Sequence, residues 1–395
     1  MVKLSQKIKK KFSGKCYLKK HNLKNRKAEY TVMIMHIVGN RPQFIKLAPV
    51  VKAFDKRDEK QIIIHTGQHY DANMSDVFFE ELGIPQPAKN LQVGSGSHAE
   101  VTGRAMIELE KVILEYNPKL VVVYGDTNST LAGAIACRKL NYPLCHIEAG
   151  TRTFNRQNPE ENNRIMTDHI SDYLFCADRS SVINLKNEGI EKNVFFSGDV
   201  MLDIFNDTPN SENALKILEQ YNLREKGYYL MTWHRQENTD SVERIQKIID
   251  LIKKINYPIV CPLHPRTKHI LERNKMWDEL KDVDNFICIE PVGYNEMVTL
   301  NRVSKGIICD SGGLSKEAFY AGKKCLFTLK LDVWPDLLKS GWIQQYTDDT
   351  AENERAIQWF VATNMPENRD NFYGDGTAAE MVAATMVELI NGEKR

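Results

Sequence analysis

The chain has almost no net charge. Over 395 residues the formal balance is +1, so no global field favours nucleic acid. It has no apolar run near the roughly 20 residues that span a bilayer, which argues against stable membrane insertion. Its eight cysteines form no Cys-x-x-Cys pair, and Cys145, Cys176, Cys261, Cys288, Cys309 and Cys325 lie inside apolar runs. They read as small buried hydrophobes in a reducing, cytoplasmic setting. The turn after the first predicted strand has neither the Gly-x-Gly-x-x-Gly spacing of a dinucleotide site nor the Gly-Lys-Ser/Thr of a P-loop, so it supports neither NAD nor ATP. No His-Glu-x-x-His occurs, and the Thr66-Gly67 pair between His65 and His69 favours a turn over a zinc-binding helix. The expectation is a chain that works without cofactor or metal.

What is present is an ordinary globular composition, 42% hydrophobic and 27% charged, at a length that favours two domains. Short β-rich runs alternate with longer amphipathic stretches, the pattern of βαβ units around parallel sheets. Predicted strands cover 34–38, 61–65, 120–124, 144–147, 173–176 and 194–197, then 228–233, 259–263, 286–289, 307–309 and 325–329. The fold class is therefore α/β, with two doubly wound Rossmann-like domains at 33–205 and 214–372 facing a cleft. The linker lies at 206–213, where Asp, Thr, Pro, Asn and Ser cluster, and a last helix at 377–391, with Thr377 as cap, could pack back on the first domain. Residues 1–30 carry many lysines against one acid, Glu29, and read as a solvated extension or as residues upstream of a start at Met33 or Met35.

Polar residues gather where the predicted strands end. Leu120-Val121-Val122-Val123 leads to Asp126, the run 142–147 leads to Glu148 and Arg152, and Gly306-Ile307-Ile308-Cys309 leads to Asp310-Ser311-Gly312-Gly313. That edge is where α/β proteins place ligands. Arg41 and Lys46, beyond the first strand, could hold phosphate at a helix N-terminus. Ser311, Gly312 and Gly313 make a second, more specific anion seat, and Glu317 lies one turn further, within reach of a ribose hydroxyl pair. His234-Arg235 and His264-Pro265-Arg266 each put a histidine and an arginine at a strand end, a combination suited to phosphate contact and proton transfer. In Asn158-Pro159-Glu160-Glu161-Asn162-Asn163-Arg164, the spacing predicts a capping box that uses Glu161, with Glu160 and Arg164 four apart as a helical ion pair.

Six segments in order over about 35–341 carry a resemblance: Gly39-Asn40-Arg41-Pro42-Gln43, Tyr124-Gly125-Asp126-Thr127, His146-Ile147-Glu148-Ala149-Gly150, Pro159-Glu160-Glu161, His234-Arg235-Gln236-Glu237-Asn238 and Asp310-Ser311-Gly312-Gly313. Together the chain resembles the UDP-N-acetylglucosamine 2-epimerases of the non-hydrolysing type. The resemblance implies a fold of the glycosyltransferase-B type and an isomerase that interconverts UDP-N-acetylglucosamine and UDP-N-acetylmannosamine for polysaccharide biosynthesis. It also implies a homodimer, with the UDP-sugar as substrate and as a candidate allosteric activator. Asp126, Glu148, Glu160 and His234 become the catalytic candidates. Arg41, Lys46, His69, Arg152, Arg164, Arg235, His264, Arg266, Ser311, Gly312, Gly313 and Glu317 become the substrate contacts.

Departures accompany the resemblance. Leu329 and then Asp332-Val333-Trp334-Pro335 stand where the family usually has an arginine and then Thr-Glu followed by Arg-Pro or Trp, and Ser315 replaces a common glutamine. The stretch 65–74 together with Trp334 resembles relatives that act on UDP-2,3-diacetamido-2,3-dideoxyglucuronate, which makes that sugar the first alternative. A hydrolysing epimerase and a catalytically silent UDP-sugar-binding protein are the others.

Overall fold

The structure is a computed structural model that describes residues 33–67, 79–330, 334–367 and 370–392. The basic extension, His69, Asp332 and Val333 lie outside the described residues. The described residues form one compact unit, built around two parallel sheets.

The first sheet contains β1 (Met33–Val38), β2 (Lys60–His65), β3 (Lys89–Asn90), β4 (Leu120–Tyr124), β5 (Leu144–Ile147), β6 (Tyr173–Cys176) and β7 (Val194–Phe196), ordered β3-β2-β1-β4-β5-β6-β7. Its centre is apolar on both faces: every residue of Leu-Val-Val-Val-Tyr in β4 is buried, as expected of a parallel strand covered by helices on each side. The second sheet contains β8 (Tyr229–Met231), β9 (Ile259–Pro262), β10 (Phe286–Ile289), β11 (Gly306–Cys309), β12 (Cys325–Phe327) and β13 (Ile343–Gln345), ordered β10-β9-β8-β11-β12-β13. In each sheet the strand order reverses beside the first strand, at β1/β4 and at β8/β11. The polar segments singled out in the sequence leave the carboxyl ends of these central strands.

Between the sheets, the helix Val200–Asp207 runs two residues into the predicted linker, and the helix Glu212–Gln220 starts before the linker's end, after Ser211 as its cap. Arg302 donates to the Thr208 carbonyl at 2.7 Å, and Thr299 accepts from the Ser211 amide at 2.8 Å, so the short connection is tied down. The helix Ala378–Gly392 contacts the helix Arg41–Asp55, with Glu380 pairing to Lys56 and Arg57 at 2.7 and 2.6 Å. Its cap differs from the expected one. The Thr377 hydroxyl donates to Asp375, while the carboxylate of Asp203, from the helix Val200–Asp207, takes the Ala378 and Ala379 amides at 3.2 and 2.6 Å. A capping acceptor supplied by another helix leaves no local pattern to read.

Candidate active site

The site is built at the ends of β4 and β5. Gly125 turns the chain with φ +60°, and a Cβ there would lie 3.1 Å from Lys46 Nζ and 3.3 Å from Glu148 Oε2, so the turn needs glycine for conformation and for space. Glu148 itself sits at φ +70°, a strained setting for a non-glycine residue and one that clusters at functional sites. Gln43, buried in the helix Arg41–Asp55, fastens the neighbouring turn. Its oxygen accepts from the Gly39 amide at 2.7 Å, and its nitrogen donates to the Tyr124 carbonyl at 2.8 Å.

Two ion-pair clusters meet at Gly125. In the first, Arg164 Nη2 binds Asp126 Oδ2 at 2.5 Å and Nη1 binds Glu161 Oε2 at 3.0 Å. The Asn163 side-chain Nδ2 donates to the Asp126 backbone carbonyl at 2.9 Å. Here the expected capping box is absent. Asn158 caps the amide of Glu160, whereas the buried Glu161 carboxylate turns back to accept from the Thr153 and Phe154 amides at 2.9 and 2.8 Å. Burial would raise the Glu161 pKa, but the amides and Arg164 outweigh it and hold it below the usual value. Glu161 thus positions Arg164, and the expected Glu160–Arg164 pair gives way to Glu161–Arg164–Asp126.

In the second cluster Glu148 lies between two lysines. Lys46 binds Oε2, and Lys316, from the helix Gly312–Tyr320, binds Oε1 at 3.1 Å. Lys316 also binds Asp199, whose Oδ2 accepts the Tyr320 hydroxyl at 2.7 Å. Burial alone would push the Glu148 carboxyl up, yet the two ammonium groups hold it at about 2. Two cations face two carboxylates, so the charges of the cluster balance.

Behind both clusters, Asp168 joins the loops. His146 Nδ1 lies 2.7 Å from Asp168 Oδ1, and its Nε2 lies 2.7 Å from the Gly125 carbonyl. The other Asp168 oxygen takes the Gly150 amide at 3.1 Å and Arg152 Nη1 at 2.7 Å. Arg152 is fully engaged here: Nε and Nη2 grip Glu188 at 2.7 and 2.8 Å, and its side chain is 1% exposed. The structure therefore does not bring Arg152 to the other predicted contacts, because its fork is closed by two internal carboxylates.

The second sheet contributes a more open group. Asp310, buried at the end of β11, accepts the His234 and Arg235 amides at 2.9 and 2.8 Å through Oδ2, and its Oδ1 lies 2.9 Å from His234 Nδ1. His234 is 43% exposed, and Arg235, His264 and Arg266 are exposed around it. His264 caps its helix by accepting the Arg266 amide, and burial, His234 and Arg266 lower its pKa. Arg266 reaches only 3.7 Å from Asp240. Glu160 is exposed at the start of its helix.

Arg41 lies among Glu81, Glu317 and Tyr294, and Glu81 accepts the Asn295 amide at 2.7 Å. Glu317 is buried, and that burial raises its carboxyl to about 7 despite Tyr294, Arg41 and Lys316. Ser311 caps the helix Gly312–Tyr320 through the Leu314 amide. Among the described residues, no hydrogen bond from the Gly312 or Gly313 amide is seen.

Lys316, Asp199, Asp168 and His146 escaped the sequence reading as site builders. Lys316 carried a signal, since it adjoins Glu317 in a helix that opens from a strand end. Asp199 and Asp168 look like ordinary polar residues until tertiary contacts join them.

A family model described as UDP-N-acetylglucosamine 2-epimerase matches residues 52–387. The chain belongs to the UDP-N-acetylglucosamine 2-epimerase family. It is 48% identical over 311 residues to a UDP-N-acetylglucosamine 2-epimerase homolog of Methanococcus maripaludis, covering 78% of this chain and 87% of that one. It is 42% identical over 369 residues to the UDP-2,3-diacetamido-2,3-dideoxy-D-glucuronate 2-epimerase of Pseudomonas aeruginosa, covering 90% and 99%. The crystal structure of the Methanocaldococcus jannaschii UDP-GlcNAc 2-epimerase in complex with UDP-GlcNAc and UDP superposes with a TM-score of 0.81 at 36% identity, covering 90% and 99%. The glycosyltransferase-B fold implied by the motifs is the fold of this epimerase family. No helix among the described residues is long and apolar enough to cross a membrane.

Proposed function

We propose that this family member inverts carbon 2 of a UDP-N-acetylhexosamine, interconverting UDP-N-acetylglucosamine and UDP-N-acetylmannosamine by elimination and re-addition of UDP. The observation that carries the reading is the pairing of two carboxylates, Asp126 and Glu148, with Arg164, Lys46 and Lys316 around one glycine turn.

The chemistry asks for this combination. The proton on carbon 2 has no adjacent carbonyl and is only weakly acidic. As UDP departs from carbon 1, oxocarbenium character develops next door and makes that proton removable. Cations stabilise the departing diphosphate, and carboxylates move the proton. A proton then returns to carbon 2 from the opposite face, and UDP re-adds to carbon 1. Asp126, which Arg164 fixes in place, is the group assigned to proton transfer. Glu148, held ionised between two ammonium groups, is assigned as base or electrostatic anchor. Glu160, in the first turn of the helix Pro159–Ile170, and His234, beyond β8 of the second sheet, are assigned to the same reaction. Residues 214–372, with Ser311, Gly312 and Gly313, would hold most of the UDP, with Arg41, Arg235, His264 and Arg266 around it and His69 as a further contact. Assembly as a homodimer, UDP-sugar as an activator, cytoplasmic location and a place in polysaccharide biosynthesis accompany the reading.

A second sugar has specific support. The 42% identity to the diacetamido-glucuronate 2-epimerase extends over 90% of this chain. Incubation with each UDP-sugar, with products resolved by NMR, decides between them. Conversion of UDP-N-acetylglucosamine to its carbon 2 epimer supports the first reading. Turnover of the diacetamido-glucuronate alone replaces it with the second, and binding without turnover of either overturns both.

A further inference from the structure

The indole of Trp334 is 8% exposed, yet among the described residues its Nε1 has no hydrogen-bond partner. A buried N–H without an acceptor is costly, and such groups are rare unless a ligand or water meets them. Its position is informative. A Cβ built on Gly312 would lie 3.6 Å from Trp334 Nε1, so the indole nitrogen sits beside the first residue of the nine-residue helix Gly312–Tyr320. The start of that helix attracts anions through its free amides and its dipole. The ring is also held in place: Lys316 Nζ sits 4.1 Å over its face, and Tyr373 packs against it edge-on at 6.2 Å. A cation on the ring face draws electron density from the indole and strengthens its N–H as a donor. The backbone of Trp334 adopts φ +62°, outside the region ordinary residues prefer, which is further reason to regard the orientation as imposed.

We propose that Trp334 Nε1 donates a hydrogen bond to a phosphate oxygen of a nucleoside diphosphate seated at Ser311-Gly312-Gly313, an inference that rests on the UDP-sugar reading above. Leu329, where the family usually has an arginine, packs apolar side chain against the core and brings no donor. The indole supplies one from a neighbouring segment. It is neutral and directional, so it selects the position of the phosphate without adding charge to a cluster whose lysines and carboxylates already balance. Glycine at 312 keeps that donor uncovered, since a methyl there would sit against it.

The test uses the full chain with 15N-labelled tryptophan, whose five indole N–H signals are sorted by the one missing from Trp334→Phe. Titration with UDP should move the Trp334 indole proton downfield, and titration with uridine should leave it in place. Trp334→Phe keeps a ring for Lys316 and Tyr373 but lacks the donor. It should bind UDP about tenfold or more weakly, the range for a hydrogen bond to a charged group, with uridine affinity unchanged. An unmoved resonance in a chain that binds UDP overturns the inference and leaves the UDP reading intact. Equal losses for UDP and uridine in Trp334→Phe also overturn it, because they would report packing. A chain that binds no UDP counts against the reading beneath it, and therefore against both.

Discussion

The two sheet edges of this protein are prepared in opposite ways. At the edge of the first sheet, Asp126, Glu148, Arg164 and Lys46 are tied into ion pairs, with side-chain exposures of 10% for Lys46, Glu148 and Arg164. At the edge of the second, His234, Arg235, His264 and Arg266 stand exposed, with one firm anchor in Asp310. Groups that move a proton must be held in one geometry before substrate arrives, because a misplaced acid or base loses rate steeply. Groups that grip a phosphate can remain in water until the ligand displaces it. The first edge therefore carries most of the chemistry in this account, with His234 the group assigned to it from the second edge, and the second edge carries most of the binding.

Substitutions can break that division. Asp126→Asn keeps size and removes the charge, and turnover should fall by about 100-fold to 10,000-fold with UDP affinity little changed. Near-wild-type turnover would remove Asp126 from the reaction. Glu148→Gln should be the most destabilising of these changes, because it takes the paired carboxylate from buried Lys46 and leaves Lys316 with Asp199; breaking a buried pair costs about 3 to 5 kcal/mol. Chemical denaturation of the variant measures it, and an unchanged midpoint would contradict the neutral-cluster account.

The same pair gives a pH dependence of defined sign. The Glu148 pKa falls from 4.5 to about 2 on folding, so its contribution is present above pH 4.5 and is lost as pH falls from 4.5 toward 2. Comparing acid unfolding of wild type and Glu148→Gln should show a shallower loss in the variant across that window. Parallel curves would mean that Glu148 does not carry it. Smaller still is the contrast between neighbours. Glu161→Gln gives up a charge that holds Arg164 and should cost about 1 to 3 kcal/mol, whereas exposed Glu160→Gln should stay within about 0.5 kcal/mol while losing activity. Equal stability losses would restore both glutamates to the same role.

Much of this was legible from the sequence because parallel strands announce themselves. The runs ending at Tyr124, Ile147 and Cys309 are short, apolar and followed by polar turns, and each became a central strand. The two-residue β3 and Ile343–Gln345 were not foreseen, being short edge strands with little apolar periodicity. Asp126–Arg164 was found as two residues but not as a pair, and Lys316 was missed altogether. Local spacing reveals which residues start a helix or end a strand. It does not reveal that Glu161 would leave its own cap for Arg164, or that Asp203 would cap a helix 175 residues away, since both depend on where distant segments are brought by the fold.

The elimination route is tested most directly by placing heavy oxygen in the bridge between carbon 1 and the β-phosphorus of UDP-N-acetylglucosamine and following it by 31P NMR during epimerisation. The account predicts that label appears in non-bridging positions of the β-phosphate as the carbon 2 epimer forms, because a detached phosphate can rotate before it re-adds. Epimer formed with the label wholly retained in the bridge would contradict it.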